Sequence, residues 1–197
     1  MANLTQIYTK DETIFDTIDT IEKAYWLGFL FADGSVSDYS IRLELSNVDI
    51  RHLSKFRDFM KSDAKIVNTR KNCSLININS KYLVDSLSKY GIIKNKTEFT
   101  SKLPDINPEL FRFFLTGLMD GDGWISEHKL KNKPRQFEFG FSSGHKTIVE
   151  QIKSWFCEKL EKNCGYISAR EGKCPQLIIG GRNNFVKIYE LLYTDCP

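Results

Sequence analysis

The sequence lacks long apolar runs, and this bounds where the protein can act. None of its 197 residues belongs to a window that approaches 18 uninterrupted apolar residues, so no transmembrane helix is expected. The N-terminus, "MANLTQIYTKDE", also lacks the basic and then apolar pattern of a secretory signal peptide. We therefore expect a protein that is not secreted and has no membrane partner, located in the cytoplasm or in an organelle.

Cysteine and histidine are too sparse and too scattered to predict a zinc site. The five cysteines are an odd number without a CxxC pair, and a disulfide scaffold does not fit a chain this long. The three histidines stand at no ligand spacing. We expect reduced, packing cysteines and ordinary surface or core histidines. The hydrophobic content of 41% is that of a globular protein, which excludes wholesale disorder.

The net charge of +3 conceals an uneven distribution along the chain. Residues 1–50 hold nine acids and three bases, whereas the remaining 147 residues hold 25 bases and 16 acids, a balance of 25 − 16 = +9. A basic excess of this kind is typical of a surface that binds a polyanion.

One pattern of apolar residues, glycines and carboxylates occurs twice. "AYWLGFLFADGSVS" begins at residue 24 and "RFFLTGLMDGDGWIS" at residue 112. Gly28 and Gly117 are 117 − 28 = 89 residues apart, and Asp33 and Asp122 have the same offset. Duplication at matching places favours a functional repeat over ordinary helix-turn structure.

The segments that follow the two copies predict the same order of elements. After the first copy, "SIRLELSN" alternates like a half-buried strand, and "DIRHLSKFRDFMK" has helical spacing with Asp49 as its N-cap. Two short strands and a helix ended by Gly91 follow. We predict an α+β fold of two pseudo-symmetric αββαββα halves, whose antiparallel sheets form a saddle with the two motif helices packed at its centre. The halves are predicted at 1–93, including a short acidic N-terminal arm, and at 109–197, with a linker at 94–108.

Small residues predict close packing of the two motif helices. Each helix carries two of them four positions apart, Gly28 with Ala32 and Gly117 with Gly121. Such stripes let two helix backbones approach closely. If the helices pack in parallel, Asp33 and Asp122 come to lie side by side.

Two carboxylates so close repel each other unless a cation lies between them. Oxygen ligands favour a hard ion such as Mg²⁺. In phosphodiester hydrolysis such an ion stabilises the leaving oxyanion and generates hydroxide. Mg²⁺ is therefore the predicted cofactor, with Mn²⁺ or Ca²⁺ able to replace it in binding.

"LTGLMDGDG" at 115–123 and "WLGFLFADG" at 26–34 resemble the paired signature helices of the LAGLIDADG homing endonucleases. The second copy matches six of the nine signature letters, and the first keeps the glycine, the alanine and the closing "DG". The αββαββα order of that family extends the resemblance over nearly the whole chain. It implies a monomeric enzyme, with no small-molecule substrate, that cuts both strands of a long double-stranded DNA site and leaves 3′ overhangs. It also implies intron homing or an intein-like element, in a bacterial, phage or organellar setting.

The resemblance implies roles for individual residues. Asp33 and Asp122 match the metal-binding acids, and Lys96 matches a lysine near the attacked phosphate, with Lys94 as its rival. Arg51 is expected to contact the scissile phosphate. Further metal ligands are the backbone carbonyls of Ala32 and Gly121. Polar residues at strand ends, which would contact DNA or orient water, are Ser46, Asn47, Ser142 and Ser143.

The second lysine is where the chain departs from the family pattern. Aligning 80–84 with 182–186 gives an offset of 182 − 80 = 102, which puts the partner of Lys96 at position 198, past Pro197. Three alternatives stay open: Lys129 substitutes for it, one DNA strand is cut slowly, or the chain lacks a natural tail.

Strand parity predicts which side chains face DNA. Arginine, asparagine, glutamine and glutamate can read base edges in the major groove, whereas other contacts only hold phosphate. The predicted contacts of the first half are Arg42, Glu44, Lys65, Thr69, Asn77 and Asn79, with Arg70 and Lys71 in a turn. Those of the second half are Arg135, Glu138, Tyr166, Ser168, Arg170 and Gln176.

Two points qualify this interpretation. Asp120 has no acidic counterpart in the first motif, where Phe31 stands, so we expect a solvent-facing or capping acid without a catalytic role. The alternative function is a binder on the same fold, either an intron RNA maturase or a non-cleaving DNA-binding regulator. The missing second lysine favours that alternative, and the two retained motif acids oppose it.

Overall fold

Each half of the chain folds in the predicted order of elements. The structure, a computed structural model, describes residues 8–69, 72–128 and 135–196, so Arg70, Lys71 and Lys129 lie outside the described residues. The N-terminal half consists of α1 (Ile21–Ala32), β1 (Ser35–Val36), β2 (Ser40–Ser46), α2 (Ile50–Phe59), β3 (Val67–Asn68), β4 (Cys73–Asn79) and α3 (Lys81–Ser88). A four-residue helix that was not predicted, α4 (Lys96–Phe99), lies in the linker. The C-terminal half consists of α5 (Phe111–Asp122), β5 (Gly123–His128), β6 (Gln136–Ser142), α6 (Lys146–Lys159), β7 (Tyr166–Ser168), β8 (Gln176–Gly180) and α7 (Arg182–Tyr193).

The strands form two four-stranded antiparallel sheets, with the orders β1-β2-β4-β3 and β5-β6-β8-β7. In the first sheet, Leu43 pairs with Ile76 and Ile41 with Ile78, and all four side chains are at most 1% exposed. Because side chains alternate along a strand, the polar residues between them lie on the opposite face of the sheet. The alternation predicted for β2 is confirmed.

Helices cover the apolar face of each sheet. α2 packs on β2 and β4 and buries Leu53 and Phe56, while α6 packs on β8 and buries Ile152 and Phe156. Each side chain of this size contributes about 1.5–3 kcal/mol when it is fully buried. Asp49 stands at the N-cap of α2 as predicted, but its side chain makes no capping hydrogen bond because a 3₁₀ turn leads into the helix.

The two motif helices, α1 and α5, touch through their glycines. A Cβ atom at Gly28 would overlap the carbonyl oxygen of Phe114, and one at Gly117 would overlap that of Tyr25. Each would also lie 2.9 Å from a backbone nitrogen of the other helix. Further along both helices Gly121 meets Ala32, so the helices run in parallel. The close, parallel packing predicted from the small residues is confirmed.

The closing helices of the two halves differ in length. α3 has eight residues and α7 has twelve, so the helices start 182 − 81 = 101 positions apart and end 193 − 88 = 105 positions apart. The single offset of 102 does not describe both ends, and it therefore does not locate the partner of Lys96. α7 is held to α5 by hydrogen bonds that Thr116 donates to Leu192 O (2.8 Å) and Arg112 donates to Thr194 O (2.8 Å).

The structure also describes the state of the cysteines and the lengths of the helices. None of the five cysteines, all of which are described, forms a disulfide, although the Sγ atoms of Cys157 and Cys164 lie 3.5 Å apart, a proximity that their spacing did not indicate. Among the described helices, none has the length and apolar character needed to cross a membrane.

Candidate functional site

The carboxyl ends of α1 and α5 bring the two motif acids together. Asp33 follows the last residue of α1, and its backbone N–H still bonds Phe29 O at 2.9 Å. Asp122 is the last residue of α5. A Cβ atom at Gly121 would lie 3.3 Å from Asp33 Oδ2, so the small residue lets the Asp33 carboxylate rest against the opposite helix.

Each of the two acids lies in surroundings that disfavour its charged form. Burial of its carboxyl, together with the charge of Asp33, raises the pKa of Asp122 to about 6. Burial also raises the pKa of Asp33, and the Lys96 ammonium opposes that rise. Both residues keep solvent-accessible surface, yet the protein packed around their carboxylates removes enough water to disfavour the charged forms.

Lys96 lies at the same point, bound to the end of α1. Its Nζ donates hydrogen bonds to Ala32 O (2.7 Å), Leu30 O (2.9 Å) and Gly34 O. Leu30 O also accepts a bond from the Gly34 N–H (3.0 Å), so Lys96 is an additional donor there, and its positive charge complements the helix dipole. Burial lowers the pKa of Lys96 to about 8, and the neighbouring carboxylates limit that fall. Its rival Lys94 lies instead on the surface, 3.3 Å from Asp38.

The atoms gathered at the helix ends suit a hard cation. They are carboxylate and backbone carbonyl oxygens, the donors that Mg²⁺ and Ca²⁺ prefer. Among the described residues there is no cluster of three or more histidine, cysteine, aspartate or glutamate side chains that could hold a metal by itself. An ion between Asp33 and Asp122 would therefore keep several positions for water or phosphate. The Ala32 carbonyl, an expected ligand, already accepts the bond from Lys96.

Two cavities flank the helix ends, one on each side. The first, of about 220 Å³, is called the lysine cavity; its polar lining includes Lys96, Asp122, Ser142 and Ser143. The second, of about 390 Å³, is called the acidic cavity; its polar lining includes Asp33, Asp49, His52 and Asp120. The pseudo-twofold relation of the halves thus extends to the cavities, although their charges differ.

Asp120 has partners that sequence reasoning missed. Its two carboxylate oxygens accept hydrogen bonds from Tyr25 (2.7 Å) and Tyr193 (2.8 Å), and Tyr25 Oη lies 3.3 Å from His52 Nε2. Asp120 is exposed, as expected, and through these bonds it also joins α1, α5 and α7. Burial lowers the pKa of His52 and raises those of both tyrosines.

The strand-end residues occupy equivalent positions in the two halves. The Asn47 N–H bonds Asn72 O (3.1 Å), and the Ser143 N–H bonds Pro175 O (3.2 Å). The Asn47 side chain also donates to Asn72 Oδ1 and accepts from the Ser74 hydroxyl, which fixes its orientation. Two predicted contacts, Ser46 and Arg51, are exposed on either side of this turn.

The outward face of the first sheet carries the predicted DNA contacts. Arg42 pairs in register with Asn77, and its guanidinium bonds Glu44 at 2.5 Å. Thr69 donates to the other oxygen of Glu44 at 3.1 Å. Asn79 accepts a bond from Asn77, and Lys65 is exposed. These contacts form a connected polar surface.

The second sheet carries a similar outward face. Glu138, Ser142 and Gln176 share this face with Ser168 and Tyr166, which is 58% exposed. Arg170 is exposed in the loop after β7.

Arg135 stands apart from that face. It bonds Glu127 at 2.9 Å, and Glu127 pairs with Phe137, which belongs to the helix-covered face. Parity explains this difference, because positions 135 and 138 differ by three, an odd number, so their side chains point to opposite sides of the sheet.

Strand β5 adds residues that sequence reasoning did not select. Ser126 pairs with Glu138 and so lies on the same outward face. The Trp124 indole packs against Gly140, and a Cβ atom at position 140 would overlap the ring. The alternation of apolar and polar side chains in "WISEH" is the sequence signal that could have identified these residues.

Several solved structures share this fold. I-SmaMI bound to an uncleaved DNA target in the presence of calcium ions has a TM-score of 0.62 at 14% identity, over 86% of this chain and 84% of that chain. The LAGLIDADG homing endonuclease I-LtrWI bound to target DNA has a TM-score of 0.59 at 12% identity, over 95% and 86%. The LAGLIDADG meganuclease I-AabMI bound to uncleaved DNA has a TM-score of 0.56 at 11% identity, over 84% and 82%. The resemblance predicted from the two motifs is confirmed at the level of the fold.

Sequence comparison adds little to this likeness. No protein-family model matches the chain. A component of the A-type ATP synthase of Pyrococcus abyssi is 28% identical over 129 residues, which is 60% of this chain. The aligned region spans 13% of that protein, so none of its activity is carried over.

Proposed function

We propose that this chain, which has the fold of the LAGLIDADG homing endonucleases, is a site-specific DNA endonuclease. It acts as a monomer on a long double-stranded target, hydrolyses both strands with a divalent metal and leaves 3′ overhangs. The observation that carries the proposal is the meeting of Asp33 and Asp122 at the carboxyl ends of two parallel helices. The DNA-bound state of the solved structures with this fold supports it.

The metal is proposed to be Mg²⁺, held by the carboxylates of Asp33 and Asp122 and by the carbonyls of Ala32 and Gly121. When bound, it supplies a Lewis acid that stabilises the leaving oxyanion and lowers the pKa of water. The two acids need to be ionised to hold it. At pH 7 and above, Asp122, with its pKa of about 6, meets this condition.

Other residues position the reacting groups. The hydrogen bonds of Lys96 to the end of α1 hold its positive charge beside the two acids, where it attracts the target phosphate. Asn47 and Ser143 are proposed to orient the attacking water at equivalent turns of the two halves. The outward faces of both sheets are proposed to contact DNA, with phosphate contacts setting position and amide and guanidinium groups reading bases.

The test begins by selecting a target from a randomised duplex library in Mg²⁺. Asp33→Asn and Asp122→Asn are then compared with the wild type for cutting and for binding of that target. Each variant should lose about 10²–10³-fold in cutting rate, the loss typical when one group that stabilises a transition state is removed, while binding in Ca²⁺ stays within a few fold. Asp38→Asn, at a surface ion pair with Lys94, is the matched control and should cut normally. Retained cutting by both motif variants would refute the proposal.

A second candidate function is a binder without cleavage, either an intron RNA maturase or a DNA-binding regulator. The observation in its favour is that Lys96 already occupies the Ala32 carbonyl, an expected metal ligand. The library experiment separates the two candidates, because a binder yields protected sites and no breaks.

A further inference from the structure

Two cysteines of the C-terminal half lie side by side at the end of α6. Cys157 is in the last turn of that helix, and Cys164 lies in the loop that leads to β7. Their Sγ atoms are 3.5 Å apart, and the Cys164 N–H donates a hydrogen bond to Cys157 Sγ at 3.3 Å. The sulfurs of a disulfide are about 2.0 Å apart, so an approach of about 1.5 Å joins them. The fold therefore holds two thiols close to bonding distance.

The equivalent loop of the N-terminal half has the same backbone course. In both halves an N–H group just past the helix bonds the carbonyl oxygen five positions earlier. The Ser62 N–H bonds Arg57 O at 3.0 Å, and the Lys162 N–H bonds Cys157 O at 3.1 Å. The two bonds are 162 − 62 = 100 positions apart, so this offset relates the two loops.

The N-terminal loop forms without cysteine. At the offset of 100, Arg57 stands where Cys157 does, and Ala64 stands where Cys164 does. Ala64 is 3% exposed and Cys164 is 2% exposed, so the second position is buried in both halves and a methyl group is enough to fill it. The loop therefore needs neither thiol for its conformation, and the facing pair is an addition of the C-terminal half.

The two thiols differ in how they can react. Cys157 is half-buried and accepts the N–H bond of Cys164, whereas Cys164 is almost fully buried. Burial raises the pKa of the Cys164 thiol, so this thiol stays protonated at neutral pH. A small oxidant therefore reaches Cys157 first, and the nearby ammonium groups of Lys153 and Lys162 favour an anionic one.

We propose that Cys157 and Cys164 form a modification site, a dithiol that a small anionic disulfide such as oxidised glutathione converts to an intramolecular disulfide. The Cys157 thiolate attacks one sulfur of the oxidant and breaks its S–S bond, and the released thiolate takes up the proton that Cys157 lost. The Cys164 thiol then loses its proton to water as its sulfur bonds Cys157 Sγ, and the second small thiolate leaves and is protonated. Two protein thiols are oxidised and one small disulfide is reduced to two thiols, so no further electron acceptor is needed.

The new bond ties the end of α6 to the loop before β7, which is the edge strand of its sheet. It closes a loop of eight residues, counted from Cys157 through Cys164. Such a bond constrains the unfolded chain, and the facing sulfurs let the fold accept it with little strain. The oxidised protein is therefore the more stable form. This inference does not depend on the proposed endonuclease function.

The test treats the folded protein with oxidised glutathione, blocks the remaining thiols and digests the chain with trypsin. Lys159 and Lys162 separate the two cysteines, so trypsin places Cys157 in the peptide 154–159 and Cys164 in the peptide 163–170. Mass spectrometry should find these two peptides joined, lighter by two hydrogen atoms than their sum. Dithiothreitol should separate them.

A variant and an internal control identify the cause. Cys164→Ala introduces the side chain that fills the equivalent position at Ala64, so the variant should fold. It should retain glutathione on Cys157 as a mixed disulfide, because no second thiol releases it. Cys174 is exposed in the lysine cavity, whose described lining contains no other cysteine, so it should retain glutathione in both proteins. The oxidised wild type should melt roughly 5 °C above its reduced form, and oxidation should not raise the melting temperature of Cys164→Ala.

Each result decides the proposal. Joined peptides together with a higher melting temperature support it. A wild type that keeps glutathione on Cys157 without joining the peptides would overturn it, as would a pair that stays reduced after Cys174 has reacted. Joined peptides without a rise in melting temperature would also overturn it, because the fold would then not favour the bond.

Discussion

Asp122 is the residue whose protonation the fold changes most clearly among the site acids. Its carboxyl has an ordinary pKa of 3.8 and a folded pKa of about 6, so folding favours the protonated form. That stabilising contribution is complete below about pH 3.8 and is lost as the pH rises through about 6. Above pH 6 the ionised Asp122, beside Asp33, opposes folding of the metal-free protein.

Asp122→Asn should therefore stabilise the metal-free protein at pH 7.5. We expect its melting temperature in EDTA to exceed that of the wild type by about 2 °C, a small shift for a chain of this size because solvent screens part of the repulsion. The difference should shrink as the pH falls from 7.5 to 5, where the wild-type carboxyl is protonated. Thermal denaturation followed by circular dichroism measures both values. A difference that stays constant over this range would contradict the raised pKa of Asp122, which burial causes first and the charge of Asp33 second.

Contacts between side chains that are far apart in the chain could not be predicted from the sequence. Asp33 and Asp122 were predicted from the repeated motif and Lys96 from the family resemblance, yet the bonds of Lys96 to the end of α1 depend on the path of the linker. Asp120 bonds Tyr25 across 95 positions, a pairing that no local spacing encodes. The distance between two such side chains follows from packing, which a periodic pattern does not contain.

At the scale of elements, the contact between α1 and α5 is the feature most sensitive to substitution. Gly117 faces the carbonyl oxygen of Tyr25, and backbone atoms cannot rotate away as a flexible side chain can. Alanine would gain about 1 kcal/mol of helix propensity at this position. The overlap outweighs that gain, because forcing an extra carbon into packed backbone requires the helices to separate.

Gly117→Ala should accordingly destabilise the protein by about 2 kcal/mol or more after the propensity gain is included. Denaturant unfolding at equilibrium measures the change. Gly180→Ala is the matched control, since a Cβ atom there would meet nothing within 4 Å, and it should change stability by less than about 1 kcal/mol. Equal stabilities for the two variants would show that the helices do not touch as described.

Elements with a strong period were predictable, whereas their ends were less so. The alternation of β2 and the helical spacing of α2 were both confirmed. The first closing helix was predicted to end at Gly91, yet α3 ends at Ser88. Helix α4 has four residues, which is too short for a period to be recognised.

For the whole molecule, the uneven charge distribution suits the proposed association with DNA. The basic excess of +9 over residues 51–197 suits a duplex backbone. Binding that neutralises phosphates releases counterions, so the binding constant falls as salt is added.

Affinity for the selected target should therefore fall steeply with salt. With about six phosphate contacts, the loss between 50 and 200 mM salt is roughly 10³-fold, linear on logarithmic axes. Fluorescence anisotropy with a labelled duplex in Ca²⁺ measures the slope. An affinity independent of salt would contradict binding along the polar faces of the sheets.

The reciprocal glycine contact has a consequence for how the two halves can be combined. Each half offers the other a glycine and, three positions earlier, a carbonyl oxygen that rests on the partner glycine. A surface of this kind is complementary to itself, as in the isologous interface of a C₂ dimer. Two copies of either half would therefore present the same glycine and carbonyl contact to each other. Halves taken from related chains should also be interchangeable, provided that this contact is kept.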